Sequence, residues 1–216
     1  MLNFFKEVFK KGELRRKVVF TLGILFVFRL GAGIVIPYID TSAITSAATS
    51  SGIFGIMNML GGGTLEKFSL FSLGVSPYIT SSIIIELLSM DVVPALTQWN
   101  KEGNTGKKKK DKVTRVLTLA LAIIQGGSLT YAFDKGYSIL ASSSIWTYVY
   151  VVVVMAAGSM FTMWLGDQIT IKGVGNGTSL LIFTGIVANL PNSFISSFKS
   201  MVTFGSAYKT ATSLAW

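Results

Sequence analysis

The sequence lacks two of the side-chain types on which many enzymes and metal sites depend. Its 216 residues include no His and no Cys. Without His there can be no Ser-His-Asp or Cys-His catalysis, and the commonest metal ligand is missing. Without Cys there is neither a disulfide framework nor zinc-finger spacing. These catalytic and metal-binding chemistries are therefore excluded.

Two glycine-containing segments invite comparison with phosphate-binding loops. Residues 103–112 lack the G-x-x-x-x-G-K-[ST] spacing of a nucleotide loop. Residues 173–177 do not match G-x-G-x-x-G, and no predicted strand precedes them. The triplet Asn176-Gly177-Thr178 fits a glycosylation acceptor, but it falls on the side predicted to be cytoplasmic. Neither nucleotide binding nor glycosylation is predicted.

Two charged residues stand inside long apolar stretches. Arg29 lies in the second half of residues 18–36, and Glu86 lies near the end of residues 68–88. A charge at membrane depth normally faces a protein interior or water. A long side chain near a helix end can instead reach the lipid headgroups. Both interpretations stay open for both residues.

The composition predicts that such residues are positioned by membrane-spanning helices. Hydrophobic residues make up 50% of the chain and charged residues 13%, about half the usual charged share. The mean hydropathy is +0.59, and the 15 Phe, 7 Tyr and 4 Trp exclude disorder. The net charge is nevertheless +9. An apolar and basic chain is typical of a membrane protein with cationic ends.

Charge-poor windows predict five spans, because a bilayer core about 30 Å thick needs roughly 20 apolar helical residues. The predicted spans are residues 18–36, 68–88, 113–133 and 145–165, and a fifth span with its core at 178–191. The predicted cytoplasmic segments are the basic N-terminus at 1–17, a basic loop at 89–112 and a loop at 166–177. The predicted outer loops are 37–67, 134–144 and 192–216, and the last of these is expected to be the end of a fragment.

The basic residues predict the orientation. Most Lys and Arg fall in residues 1–17 and 89–112, which share one side if each span crosses once. The positive-inside rule then places the N-terminus in the cytoplasm. The run Lys107, Lys108, Lys109 and Lys110 is explained as a topology signal, and it is also compatible with contact to an acidic or RNA-rich partner.

The second span and the segment before it are unusual. The apolar part of residues 41–65 covers only 53–60, too short to cross a bilayer. The span at 68–88 is rich in Ser, Thr and Gly, which fits either close helix packing or the lining of a water-filled cavity. Pattern alone therefore favours a channel or a transporter.

Five motifs carry a resemblance to the SecY family, which forms the channel of the bacterial Sec protein translocase. They are FRLG at 28–31, NMLGGGTL at 58–65, LGVSPYI at 73–79, MWLGDQIT at 163–170 and GVGNG at 173–177. The resemblance runs from about residue 15 to 191 and implies an all-α polytopic membrane protein. Five transmembrane helices would form one inverted-repeat half of the channel, with a short plug helix and the C-terminal half absent.

The resemblance also implies pore and gate residues. Bulky side chains at Val75, Ile79, Thr178 and Ile182 match a ring that constricts the pore, where a dry apolar lining can block ions by dewetting. Thr178 departs from the usual aliphatic residue. Polar positions of a lateral gate match Thr80, Glu86 and Gln125, and Glu86 stands where the family more often has Gln.

A plug is implied at about residues 52–65. It would close the outer funnel and move aside for a substrate, with the glycine triplet as its hinge. Its residues are Ile53, Phe54, Ile56, Met57, Asn58, Met59, Leu60, Gly61, Gly62 and Gly63.

The implied function is passage of unfolded secretory polypeptides across the plasma (inner) membrane, with lateral release of transmembrane segments into lipid. Such a subunit is not an enzyme and needs no cofactor. Its expected partners are SecE, SecG, SecA, the ribosome, signal sequences, secretory and nascent chains, membrane lipids and the other half of the channel. A solute or ion transporter is the alternative, although no polar substrate group beyond Arg29 is obvious, and a membrane scaffold is a third interpretation.

Overall fold

The computed structural model describes residues 12–39, 64–65, 67–90, 92–140, 144–188, 190–191, 194–195 and 198. Within these residues the secondary structure is helical, apart from two isolated antiparallel bridges, Val35 with Ser69 and Ile39 with Leu140. The helices that position the candidate site are α1 (Gly12–Ala32), α2 (Ser76–Leu88), α3 (Pro94–Lys101), α4 (Asn104–Tyr137), α5 (Ile145–Lys172) and α6 (Gly177–Ala188).

Two of these helices are long and apolar enough to cross a membrane. They extend over Asn104–Gly136, with 33 residues, and Ile145–Lys172, with 28 residues. At 1.5 Å per residue they measure about 50 and 42 Å, more than a hydrocarbon core of about 30 Å. They overlap the third and fourth predicted spans. All five spans remain predictions, because only length and composition support the crossing of these two helices.

Helix α1 starts earlier and ends earlier than the predicted span at 18–36. Its first turns contain Arg15, Arg16 and Lys17, which are good helix formers. After Ala32 the amide of Gly33 bonds back to the Leu30 carbonyl at 3.0 Å, which closes the helix in a tight turn. The exposed side chain of Arg29 is consequently in the last helical turn, where a cation is favourable.

The segment before α2 is not helical, so the predicted span at 68–88 contains a helix of only 13 residues. Gly74 has a φ of +53°, a left-handed conformation that interrupts a right-handed helix. Pro77 lies in the first turn of α2, where its missing N–H is tolerated. The Ser72 hydroxyl donates to the Ser69 carbonyl at 2.6 Å and so stabilises the turn before the helix.

This non-helical segment is held inside the protein. The Ile36 amide donates to the Phe68 carbonyl at 3.1 Å, and the Leu70 amide donates to the Ile34 carbonyl at 2.8 Å. Phe68 and Phe71 are fully buried. Irregular backbone at membrane depth is tolerated when protein covers it, and these contacts supply that cover.

The predicted basic loop at 89–112 is largely helical. It contains α3 and the first turns of α4. Gly103 adopts a φ of +65° between them, which lets the chain reverse direction. A Cβ at Gly106 would strike the Trp99 backbone, so only glycine permits this close helical hairpin. Lysine favours helix, which explains why the Lys-rich run extends α4 instead of forming a loop.

Two apolar clusters hold the helices together. One joins α4 and α5 to the segments around Ile36 and Phe68, and the other joins α1, α5 and α6 around stacked rings of Phe28 and Phe71, 5.5 Å apart. The outward faces of α1 and α5 are also apolar, with Phe26 65% and Trp146 78% exposed. Exposed apolar faces of this kind suit contact with lipid.

Candidate functional site

A cavity of about 630 Å³ lies between the helices. Its walls come from α2, α4 and α6, together with the non-helical segment before α2 and Phe28 of α1. The lining residues are Phe28, Leu65, Ser72, Leu73, Gly74, Val75, Ser76, Ile79, Thr80, Ile124, Gln125, Ser128, Leu129, Ala132, Ile182 and Gly185. The lining is mostly apolar with a few hydroxyl and amide groups, a composition that accepts apolar guests more readily than ions.

Three of the four predicted ring residues line this cavity together. Val75 immediately precedes α2, and Ile79 follows four residues later on the same helical face. Ile182 faces the cavity from α6. Val75 is buried, and Ile79 and Ile182 are half-buried. The fold therefore concentrates branched apolar side chains from two helices at one cavity.

Thr178, the fourth predicted ring residue, is not among the lining residues. Its amide nitrogen and its Oγ1 are each 3.5 Å from the position that a Cβ on Gly166 would occupy. The first turn of α6 therefore packs against α5 at Thr178. Its Oγ1 therefore lies beside Gly166 of α5 and not at the cavity.

The glycine-rich segment at 173–177 builds the start of α6. The Asn176 side chain accepts the Ser179 amide at 3.3 Å, which caps the helix. Gly175 has a φ of +74°, and a Cβ at Gly177 would strike the Gly166 carbonyl. The Val174 amide donates to Thr21 Oγ1 of α1 at 3.1 Å. This motif thus fixes the position from which α6 carries Ile182 to the cavity.

Two of the three predicted gate residues also line the cavity. Thr80 on α2 donates its hydroxyl to the Ser76 carbonyl at 3.1 Å, and Gln125 lies half-buried on α4. Ser128, one turn after Gln125, is a further lining residue. It was not predicted from the sequence, although its i+3 spacing from Gln125 places both on one helical face.

Glu86, the third predicted gate residue, lies away from the cavity near the end of α2. Its Oε2 accepts a hydrogen bond from Lys110 Nζ at 2.7 Å. The structure thereby joins a predicted gate residue to a lysine that was predicted to contact cytoplasmic partners. Their pairing was not anticipated, because 24 residues separate them in the sequence.

The four consecutive lysines are not equivalent. Lys107 and Lys108 are exposed, as an external contact requires. Lys109 pairs with Glu102 at 2.9 Å, and the Lys110 side chain is only 17% exposed. On this geometry Lys110 is a poor external contact, because its ammonium group is already occupied within the protein. A third ion pair, Arg115 with Asp167 at 2.7 Å, links α4 to α5.

Most of the predicted plug lies outside the described residues. Of residues 52–65, only Thr64 and Leu65 are described. Both are buried, and Leu65 lines the cavity. The Thr64 carbonyl accepts the Ser69 amide at 3.0 Å. The end of the predicted plug segment is therefore anchored next to the cavity.

The packing of the segment before α2 against α5 was not predicted from the sequence. Ser159 Oγ donates to the Gly74 carbonyl at 3.2 Å, and a Cβ at Gly158 would strike the Leu70 carbonyl. The segment before α2, which leads to Val75, therefore packs against small residues of α5. The Gly158–Ser159 pair was visible in the sequence, but nothing in the pattern indicated which segment it would contact.

The carboxylates of the described part of the chain do not form a metal centre. No group of three Asp or Glu side chains within it could hold a metal ion. Glu86, Glu102 and Asp167 pair with basic residues, and Asp134 accepts a hydrogen bond from the Tyr148 hydroxyl.

Comparisons with known proteins identify the family. The model for the SecY family matches residues 69–215. Protein translocase subunit SecY of Bacillus subtilis is 41% identical over 212 residues, covering 97% of this chain and 47% of the relative. The Staphylococcus epidermidis subunit is 42% identical over 219 residues, covering all of this chain and 50% of the relative. The chain thus spans about half the length of the curated relatives it matches.

Solved structures agree with this at the level of the fold. The channel of a canine ribosome-channel complex from the endoplasmic reticulum superposes with a TM-score of 0.56 at 17% identity, over 79% of this chain and 36% of that chain. A structure described as a protein conducting channel gives the same values.

The fold and the cavity define the class first: a helical protein with two helices long and apolar enough to cross a membrane and a partly open apolar cavity between its helices. Within that class the family match is decisive. The chain belongs to the SecY family.

Proposed function

We propose that the chain is the N-terminal half of a protein-conducting channel of the Sec translocon, passing unfolded secretory polypeptides across the plasma membrane. The observation that carries the proposal is the convergence of Val75, Ile79 and Ile182 on one cavity with Thr80 and Gln125 beside them. In this proposal the chain provides one wall of the pore, and the C-terminal half provides the other. The alternative of a solute transporter has no comparable support from the family match.

The proposed pore works by exclusion of water. A narrow ring of branched apolar side chains offers water and ions no hydrogen bonds, so an empty ring dewets and blocks conduction. A translocating polypeptide displaces no ordered water from such a ring and slides past side chains that bind no particular sequence. Ile79 and Ile182 are the central members, and we assign Thr178 the flanking role of packing α6 on α5.

The proposed lateral gate runs along α2 and α4. Thr80 and Gln125 would face helices of the C-terminal half, and separation along this line would release a hydrophobic segment into lipid. Small hydroxyl groups suit such a seam because they hydrogen-bond within their own helix, as Thr80 does, and leave the seam free to part.

The proposed topology retains the five spans and a cytoplasmic N-terminus. Helices α4 and α5 would cross fully, whereas α2, with 13 residues, would cross together with the non-helical segment before it. The plug, from about residue 52 to 65, would rest against the cavity near Leu65. Lys107 and Lys108 would face the cytoplasm.

The proposed partners follow from the family. SecE and SecG would stabilise the two halves, and SecA or the ribosome would supply the driving force, so the chain itself would perform no catalysis. Signal sequences and nascent or secretory chains would enter at the pore, and lipids would cover the outer faces of α1 and α5. Lys107 and Lys108 are the proposed secondary contacts for acidic or RNA-rich partners.

Depletion of the chain from its own cells tests this function. Secretory precursors followed by pulse labelling should keep their signal sequences and accumulate, while cytoplasmic proteins are made normally. Re-expression of the full channel should restore export. Undiminished precursor processing after depletion would contradict the function.

Re-expression of the channel without residues 52–65 should restore export with a raised ion leak. An unchanged leak would contradict the plug.

A further inference from the structure

Lys110 occupies an unusual position for a basic residue. It lies in the second turn of α4, toward the positive end of the helix dipole, which offers a cation no stabilisation. The first turn of α4 contains no acidic residue to compensate. Local helix electrostatics therefore do not explain why the Lys110 side chain is only 17% exposed.

Three side chains from two other segments surround the Lys110 ammonium group. Its Nζ lies 2.7 Å from Glu86 Oε2, 3.2 Å from Ser89 Oγ and 3.5 Å from Asn100 Oδ1. Glu86 is in the last turn of α2, Ser89 is its C-cap, and Asn100 is on α3. One charged group thus joins the ends of α2 and α3 to the start of α4.

The Lys110 ammonium group stabilises the C-terminal end of α2. Its last turn contains no basic residue, so its own sequence leaves the negative end of the helix dipole uncompensated. The exposed carbonyls are met from outside, because Asn100 Nδ2 donates to the Ser89 carbonyl at 3.2 Å and Lys110 supplies the positive charge. The Glu86 side chain is 62% exposed, so its ion pair alone contributes little, and the added contacts of Lys110 with Ser89 and Asn100 are what distinguish this group from a lone surface ion pair.

We propose that Lys110 is a positioning residue that locks the C-terminal end of α2 to α4. The two helices that carry Thr80 and Gln125 then move as one body. The inference rests on the proposed function only in treating α2 and α4 as gate helices. Glu86 would then act through Lys110 and would not itself touch a translocating chain.

Spin labels on the two helices test the lock in the assembled channel. This chain has no Cys, so once any Cys in the rest of the assembled channel is replaced, Leu87→Cys and Val116→Cys provide exposed label sites on α2 and α4. The parent should give one narrow distance distribution, and Lys110→Met should make it roughly two-fold broader, because loosened helix ends sample more positions. Lys112→Met removes the same charge from an exposed residue of the same helix and should leave the width unchanged.

Two further variants separate a lock from ordinary packing. Lys110→Arg keeps the charge and should retain the narrow distribution, and the exchange of Glu86→Lys with Lys110→Glu should restore most of it. Equal widths for Lys110→Met and Lys112→Met would overturn the proposal, as would a broad distribution in both rescue variants. The distance between the two spin labels is measured without any export of protein. A failure of this proposal is therefore distinct from a failure of the depletion experiment.

Discussion

Closed channels that carry asparagine at both Ile79 and Ile182 are expected to leak ions at least about ten-fold faster than the parent, since each 1.4 kcal/mol removed from a barrier is a factor of ten in rate. Both side chains line the cavity from different helices. Asparagine has the same number of side-chain heavy atoms as isoleucine but offers hydrogen bonds to water, so a ring that contains it stays wet. Single-channel conductance in planar bilayers measures the effect.

The matched control replaces apolar residues that avoid the cavity. Val153 is 58% exposed on α5, a helix that contributes no residue to the cavity lining, and Phe183 is 62% exposed on α6 next to a proposed ring residue. Asparagine at these two positions adds the same polar groups outside the pore and should leave the closed leak near the parental level, normalised to assembled channel. Similar leaks for both double variants would contradict the apolar ring.

Substitution of Gly158 is expected to have the largest effect on stability. A Cβ at this position would strike the backbone carbonyl of Leu70, and a backbone group cannot move aside as a flexible side chain can. Overpacking of this kind costs about 1–3 kcal/mol, and Gly158→Ile should exceed Gly158→Ala. Since α5 seats the segment that ends in Val75, the displacement should also disturb the cavity.

A glycine with free space around it provides the control for this experiment. Gly23 lies in α1, and a Cβ added there would meet nothing within 4 Å, so Gly23→Ala should be neutral or slightly stabilising. Thermal unfolding of the purified channel should show a lower midpoint for Gly158→Ala by roughly 2–4 °C per kcal/mol lost. Equal midpoints for the two alanine variants would contradict the close approach of α5 to Leu70.

The parts of the fold that could be predicted from the sequence are those that composition alone determines. Helices α4 and α5 contain long charge-free windows, and their approximate positions follow from that. The bounds of the short helix α2 could not be predicted in this way, because the apolar stretch continues through Gly74 whereas the helical conformation does not. The helical start of α4 was missed for the opposite reason, since charge suggested a loop where lysine in fact extends a helix.

The candidate site was predictable from motifs and not from physical pattern. Family resemblance led to Val75, Ile79 and Ile182, which the fold brings to one cavity. It gave no warning that Thr178 packs on Gly166, because that contact depends on how α5 and α6 approach each other. The Glu86–Lys110 pair was equally hidden, since tertiary pairing across a helical hairpin leaves no local signal.

The most direct measurement of the central claim, that this cavity is a path for polypeptides, is site-specific cross-linking. A secretory chain stalled halfway through the assembled channel is probed by a photoreactive residue placed at Ile79, Ile182, Thr178 or Phe183. We expect strong adducts at Ile79 and Ile182, weak adducts at Thr178 and none at Phe183. Equal labelling at all four positions, or labelling at Phe183 without Ile79 and Ile182, would contradict the account.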